Sequence, residues 1–346
     1  MKIAVMSSPV TPLRPAQAGG AQSMITDIAT GMARRGHDVR LYCAAGSEVA
    51  GVRLVTVPSP PDAAAALVMP GGPPPPLAPG VDAAIRAMLE SVAASDVDVL
   101  SQHAFDAAAF ELADGLPVLH TLHLPPLVPA VVDAARGVDA LRLAAVSETS
   151  RRAWQEAGIS VGRVLRNGVA DIDIAGLSPQ PFALIAGRIS PEKGIEHALE
   201  ASVRAGLPVR VAGALYDPRY AVDLSTTQQL GMLNREELWR VMAGSAVMVC
   251  AVRWEEPFGL VAAEAQMAGC PVAAYRRGAL PEVVEEGVSG FLAQPDDVDA
   301  LAAAIRACMM LDRGQVRASA RRRLGLEAAL DAYESALREV ALNSAP

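Results

Sequence analysis

The densest chemistry in the sequence lies in Arg253-Trp254-Glu255-Glu256-Pro257-Phe258-Gly259-Leu260-Val261-Ala262-Ala263-Glu264. Pro257 suits a helix start, and Gly259 lets a backbone come close to a ligand. The N–H groups of Phe258, Gly259 and Leu260, at a helix entrance, suit an anion or a sugar hydroxyl. Glu256 precedes the helix and Glu264 lies about two turns inside it. Two carboxylates so spaced can grip both ends of one hydroxylated ligand. Helix capping by Glu256 and a solvated Glu264 is the plainer alternative. Glu264, however, stands among Ala262, Ala263, Ala265 and Met267. A buried carboxylate there needs partners, and ligand hydroxyls would supply them.

A second cluster is Ala186-Gly187-Arg188-Ile189-Ser190-Pro191-Glu192-Lys193-Gly194. Arg188 and Lys193 can reach one point from two directions. A guanidinium fork with a point-charge ammonium matches a diphosphate. Lys193 also stands out by scarcity: Lys2 and Lys193 are the only lysines among 30 basic residues. The alternative is two solvated cations on a surface loop. Gly19-Gly20 opens the first long helix and could receive an anion, although a glycine pair is more often a plain turn and no GxGxxG run exists.

His103, His120 and His123 cluster near strand ends in the first half. Alternation along a strand makes His120 a packed residue, while His123, in the following loop, can face a ligand. Three histidines could hold zinc, yet nothing else supports it. Asp96-Val97-Asp98 and Asp297-Val298-Asp299 match a short metal pattern, but both stand where Asp caps or ends a turn. No metal site is assigned.

The elements that must position these groups alternate strand and helix. Strands are expected at 3–6, 39–43, 52–57, 97–101, 117–122, 142–146 and 163–166, with helices at 21–35, 81–94, 105–113 and 148–157. Residues 58–80 carry nine prolines and read as a flexible or extended surface loop. Asn167-Gly168 marks a turn and 168–181 a linker. The rhythm then restarts, with strands at 182–186, 208–212, 246–251, 271–274 and 290–293. Helices are expected at 193–205, 234–244, 258–269, 296–310 and 325–342. Repeated βα alternation with apolar strands implies an α/β fold: two doubly wound parallel sheets facing a cleft. Ligands of such sheets bind beyond the strands' carboxyl ends, where both clusters fall.

Composition agrees with that architecture. The 346 residues suggest two domains, and 51% hydrophobic with 20% charged residues describes a cored globular chain. A net charge of −8 disfavours nucleic-acid partners, which need a basic face. The cysteines Cys43, Cys250, Cys270 and Cys308 lack CxxC spacing and read as buried free thiols. The N-terminal apolar run is too short for a signal-peptide core, and no stretch approaches a membrane span, so a cytoplasmic protein is expected.

Together these residues resemble the retaining glycosyltransferases of family 4, which have the GT-B fold of two Rossmann-like domains. The resemblance covers nearly the whole chain. It is carried by Arg34-Arg35-Gly36-His37-Asp38-Val39, by Gly187 to Gly194 and by Glu256 to Glu264. Cys270-Pro271-Val272 and Gly287-Val288-Ser289-Gly290-Phe291 extend it. It implies an acceptor-binding domain at 1–168, joined by a last helix at about 326–346, and a nucleotide-sugar domain at 169–325. Arg188 and Lys193 would hold the donor diphosphate, and Glu264 the ribose. Glu256, with the N–H groups of Phe258 to Leu260, would hold the donor sugar, near His123. Gly19, Gly20 and Gly187 would approach the donor, and the base would lie against Gly231-Met232-Leu233. His123, Glu256, Arg188 and Lys193 are the implied catalytic set, and His103 and His123 the acceptor-side candidates. No metal or other cofactor is expected, since two cations do its charge work. Transfer with retention would use the leaving phosphate as base. The Ala/Arg-rich composition looks actinomycete-like and would fit antibiotic or other secondary-metabolite glycosylation.

Two positions depart from the family pattern. Ala170 stands where Asp is common, with Asp171 next, and Ala251-Val252 replaces a common proline. The acceptor is the least legible part. Residues 1–167 carry 13 basic and 15 acidic residues, a net of −2, which does not favour an anionic membrane surface. A soluble small molecule or oligosaccharide is the expected acceptor. A nucleotide-sugar epimerase on the same fold, or a noncatalytic nucleotide-sugar-binding protein, is the alternative.

Overall fold

The structure is a computed structural model and describes residues 1–15, 20–67, 72, 76–173, 177–216 and 219–343. The chain divides into two compact units. The first gathers Met1–Pro15, Ala21–Arg166 and the chain from Ala329, the second Gly20 and Asn167–Ala328.

In the first unit the strands are β1 (Lys2–Met6), β2 (Asp38–Ala44), β3 (Arg53–Val57), β4 (Val99–Gln102), β5 (Val118–Leu122), β6 (Leu143–Ala145) and β7 (Arg163–Val164). They form one parallel sheet in the order β3-β2-β1-β4-β5-β6-β7. β4 and β5 are buried at every residue, including the polar Ser101, Gln102, His120 and Thr121. The helices are α1 (Gly20–Arg34), α2 (Pro79–Ala93), α3 (Ala107–Glu111), α4 (Pro129–Ala135) and α5 (Glu148–Glu156). Ile85, Met88, Leu89 and Val92 on α2 pack with Phe110, Val131 and Trp154 in one core. The described residues of the proline-rich segment include two helical turns. Ala63–Ala66 form a 3-10 turn, and Pro79 occupies the first turn of α2, where its missing N–H costs nothing.

The second unit has β8 (Gln180–Ala186), β9 (Val209–Ala212), β10 (Gln228–Gly231), β11 (Ser245–Cys250), β12 (Val272–Tyr275) and β13 (Gly290–Ala293). Their order is β10-β9-β8-β11-β12-β13, again all parallel. Its helices are α6 (Ile195–Arg204), α7 (Arg235–Gly244), α8 (Leu260–Met267), α9 (Leu280–Val283), α10 (Val298–Cys308) and α11 (Arg313–Leu324). In each sheet the strand order reverses next to the first strand, between β1 and β4 and between β8 and β11. Such a switch point leaves a crevice at the carboxyl ends of the strands. β10, α4, α9 and α11 are elements the sequence did not reveal.

The last helix is α12 (Leu326–Asn343), and from Ala329 it packs in the first unit. The Arg35-Gly36-His37 motif fastens it. Glu334 on α12 accepts from Arg35 Nη1 at 3.1 Å, lies 3.1 Å from His37 Nε2, and pairs with Arg338 at 2.7 Å. These partners, Arg338 foremost, hold the Glu334 carboxyl down at about 2. In the second unit Val169 N donates to Leu324 O and Leu326 N to Val169 O, at 2.8 and 2.9 Å. Asp171, the acid displaced by one position, receives Arg321 Nη2 at 2.7 Å and Arg317 Nη2 at 3.0 Å.

Candidate functional site

The crevice between β8 and β11 gathers most of the expected donor residues. β8 runs out into the Gly187–Gly194 loop and β11 into the loop that carries Glu256. The loops are tied together: Arg253 N donates to Glu192 O at 2.8 Å. Gly194, at φ +64°, allows this approach, since a Cβ there would stand 1.9 Å from Ala251 O. Gly278 does the same beneath Glu256, where a Cβ would meet the Glu256 N at 2.3 Å. Ala279 N then donates to Glu256 O at 2.8 Å, which pins the backbone of the acid.

Lys193 Nζ lies 2.7 Å from Glu256 Oε2, and Trp254 Nε1 donates to the same oxygen at 2.9 Å. The ammonium also lies 5.3 Å from the centre of the Trp254 ring, a cation–π contact. Arg188 turns elsewhere. Its Nη2 is 3.3 Å from Glu192 Oε1, and its guanidinium carbon is 5.1 Å from the Tyr216 ring centre. Ser190 Oγ donates to the same Glu192 oxygen at 2.7 Å. The two cations thus start from different carboxylates.

Gly259, at φ +90°, precedes α8 and no side chain caps the helix. Glu256 is therefore not a capping residue. Among the described residues the N–H groups of Phe258, Gly259 and Leu260 have no hydrogen-bond partner. The rings and branches behind them are core: Phe258 and Leu260 are buried. Glu264 is buried, and the protein itself supplies a partner, one the sequence reading did not name. Arg235 Nε donates to Glu264 Oε1 at 2.8 Å, and Trp239 lies under that guanidinium at 4.8 Å. Arg235 opens α7, whose N-terminus is closed by a capping box between Asn234 and Glu237. Met232 is exposed and Leu233 half-buried in the link from β10 to α7. Gly187, at φ +127°, follows β8, and its N–H donates to Ala212 O at 3.0 Å.

Sequence reasoning missed Arg235, Tyr216 and Trp254. Trp254 stood inside the quoted motif and its N–H was a visible signal. Arg235 and Tyr216 lie in segments whose pairing spacing does not encode.

In the first unit the crevice between β1 and β4 holds a different chemistry. His103 follows β4 and His123 follows β5. His103 Nδ1 and His123 Nε2 lie 2.9 Å apart, and Ser101 Oγ lies 2.9 Å from His103 Nε2. His120 is separate. Its Nδ1 lies 3.2 Å from Gln102 Oε1, and its ring stacks on Phe110 at 4.7 Å. The three rings do not converge on one point. Burial disfavours their charged forms: His123 is held down to about 4, His120 to about 3, and His103 well below its ordinary value. Asp106, which follows β4, accepts from Ser8 Oγ at 3.2 Å, and burial pushes its carboxyl up to about 6. Gly20 is the exposed first residue of α1, and Gly19 lies outside the described residues. Asp96 is an ion-pair partner of Lys2 at 2.5 Å and Arg40 at 2.7 Å, while Asp297 caps α10 through Ala300 N.

Two family models divide the chain between them. "Glycosyltransferase Family 4" matches residues 18–171, and "Glycosyl transferases group 1" matches 173–325. The chain belongs to the GT-B glycosyltransferases.

Solved GT-B structures share its fold along almost its whole length. AviGT4, a glycosyltransferase involved in avilamycin A biosynthesis, has a TM-score of 0.73 at 22% identity, covering 99% of this chain and 98% of its own. Anabaena Alr3699/HepE in complex with UDP and glucose has a TM-score of 0.76 at 19% identity, covering 98% of this chain and 100% of its own. Curated relatives of this GT-B chain include glycogen synthase of Mycobacterium tuberculosis, 32% identical over 169 residues, or 44% of this chain and 41% of that one. D-inositol 3-phosphate glycosyltransferase of Mycobacterium marinum is 34% identical over 174 residues, 46% of this chain and 37% of that one. The chain thus spans about two fifths of the length of the curated relatives it matches. Among the described residues no helix is long and apolar enough to cross a membrane.

Proposed function

We propose that this GT-B chain is a retaining glycosyltransferase that moves a sugar from a nucleoside diphosphate sugar to a hydroxyl of a small molecule or oligosaccharide. One observation carries the reading. The loops that leave the carboxyl ends of β8 and β11 carry Arg188, Lys193 and Glu256, beside N–H groups before α8 that have no partner among the described residues and the buried Glu264. In this reading Arg188 and Lys193 leave their carboxylate partners for the diphosphate. Their charges then stabilise the leaving group, so no metal is required. Glu264, held by Arg235, accepts from the ribose. Glu256 and the N–H groups before α8 take hydroxyls of the transferred sugar. The bond from the anomeric carbon to the diphosphate oxygen breaks, and the acceptor hydroxyl forms the new bond on the same face. Its proton passes to the departing phosphate oxygen. The first unit, with Ser8, Asp106, His103 and His123 at its crevice, is the acceptor side.

The test is transfer from a panel of nucleotide sugars in the presence of EDTA, with the anomeric configuration of the product read by proton NMR. Product of the donor's own anomeric configuration, undiminished by EDTA, supports the reading. An inverted product contradicts retention, and loss of turnover in EDTA contradicts metal independence. Conversion of donor alone into an isomeric sugar nucleotide would replace the transferase by an epimerase.

A further inference from the structure

The histidine chain of the first unit fixes the positions of its own protons. Ser101 is fully buried, and among the described residues its hydroxyl has one hydrogen-bond partner, His103 Nε2, at 2.9 Å. Were His103 to donate from Nε2, the Ser101 proton would have no acceptor, and a buried orphaned donor is costly. The hydroxyl therefore donates. Neutral His103 then carries its proton on Nδ1, since an imidazole has one N–H and one acceptor nitrogen. That Nδ1 faces His123 Nε2 at 2.9 Å, so His103 donates and His123 accepts. The proton of His123 is left on its own Nδ1. Among the described residues this nitrogen has no partner and it is not sealed from solvent, so it is the open end of the chain.

We infer that Ser101 and His103 are positioning residues that lock His123 as its Nδ1–H tautomer, so that His123 meets a carbohydrate as a hydrogen-bond donor to one of its oxygens, not as a proton acceptor. The ligand half of this statement rests on the glycosyltransferase reading; the tautomer half does not. A hydroxyl, ring or phosphate oxygen of the substrate is the matching group. The neutral pair polarises along one direction, from Ser101 through His103 to the substrate. Ser101 and His103 make no direct approach to the ligand in this arrangement.

The tautomers are read in the ligand-free protein by long-range proton–nitrogen NMR of a sample labelled with 15N-histidine, each ring assigned by its loss in His103→Asn or His123→Asn. Protonated Nδ1 and unprotonated Nε2 on both rings is the expected result. Protonated Nε2 on His123 overturns the inference whether or not the chain transfers sugar. Ser101→Ala should release the lock and give His123 mixed tautomers; an unchanged spectrum would show that Ser101 does not set them. In turnover, His103→Leu should lower kcat about tenfold or more with donor KM unchanged, the loss of about one hydrogen bond in the transition state. His103→Asn, whose amide N–H falls near the place of Nδ1, should recover most of it. Equal activity of the two variants would contradict the positioning role.

Discussion

Lys193 and Glu256 are 63 residues apart and leave the sheet by different strands, yet Nζ and Oε2 stand 2.7 Å apart at its switch point. Their side chains retain 21% and 12% of their exposure, so the pair is largely withdrawn from water. Breaking such a pair from one side leaves the other charge uncompensated. Lys193→Met should cost about 1–3 kcal/mol of stability, and adding Glu256→Gln should return part of it. A double-mutant cycle by urea unfolding checks this. A coupling energy of zero would mean that the two charges are solvated independently.

Arg235 predicts a second coupling. Glu264 is buried and receives the Arg235 Nε at 2.8 Å. Arg235→Met should destabilise the protein by about 2–3 kcal/mol and also weaken nucleotide binding, because the carboxylate loses the group that orients it. Arg235→Lys keeps the charge but not the planar contact with Trp239, so it should restore only part of both. Full nucleotide affinity in Arg235→Met would separate Arg235 from the site.

Gly194 offers a test of loop geometry. An alanine there would place its Cβ 1.9 Å from Ala251 O, at a φ of +64°. Backbone must move, so Gly194→Ala should cost at least about 2 kcal/mol and displace Lys193 from Glu256. Thermal unfolding with and without nucleotide measures both effects. An alanine variant as stable and as responsive as wild type would refute the close approach.

Acid should weaken the first unit through its histidines. His123 and His120 titrate near 6.5 when unfolded but at about 4 and about 3 when folded, and His103 is lowered too. The unfolded chain therefore binds more protons below about pH 6.5. Stability is full above that value and falls as pH drops towards the folded values, by up to about 1.4 kcal/mol per pH unit for each histidine. Asp106, raised to about 6, acts oppositely but with a single proton. Glu334 and Asp96, held down at about 2, contribute losses only at lower pH, below the ordinary carboxylate range. Urea unfolding between pH 7 and 5 should show the decline; a flat profile would mean that the histidines are not buried neutral.

The sequence exposed the parts of the fold that depend on local pattern. The apolar runs of β1, β8 and β11 and the helical spacing between strands imply two parallel sheets, and the switch-point loops follow. β10 escaped because Gln228–Gly231 is a polar, mostly exposed edge strand without an apolar run. In the site, Arg188, Lys193, Glu256 and Glu264 were legible because their motifs are contiguous. Their partners were not. Arg235 reaches Glu264 across 29 residues and His103 reaches His123 across 20, and neither separation follows a helical or strand period. Glu334 is the extreme case: the Arg35-Gly36-His37 motif was visible, but its partner lies 299 residues after Arg35.

On the proposed function, the β8–β11 crevice holds a nucleoside diphosphate. Thermal unfolding with UDP, GDP, ADP, CMP and dTDP, each in large excess, on wild type and Glu264→Ala, tests it most directly. A ligand at 100 times its dissociation constant adds about 2.7 kcal/mol, a readily visible shift. One nucleoside diphosphate should stabilise the wild type and fail to stabilise Glu264→Ala. No shift with any of them, or an equal shift in the variant, would contradict it.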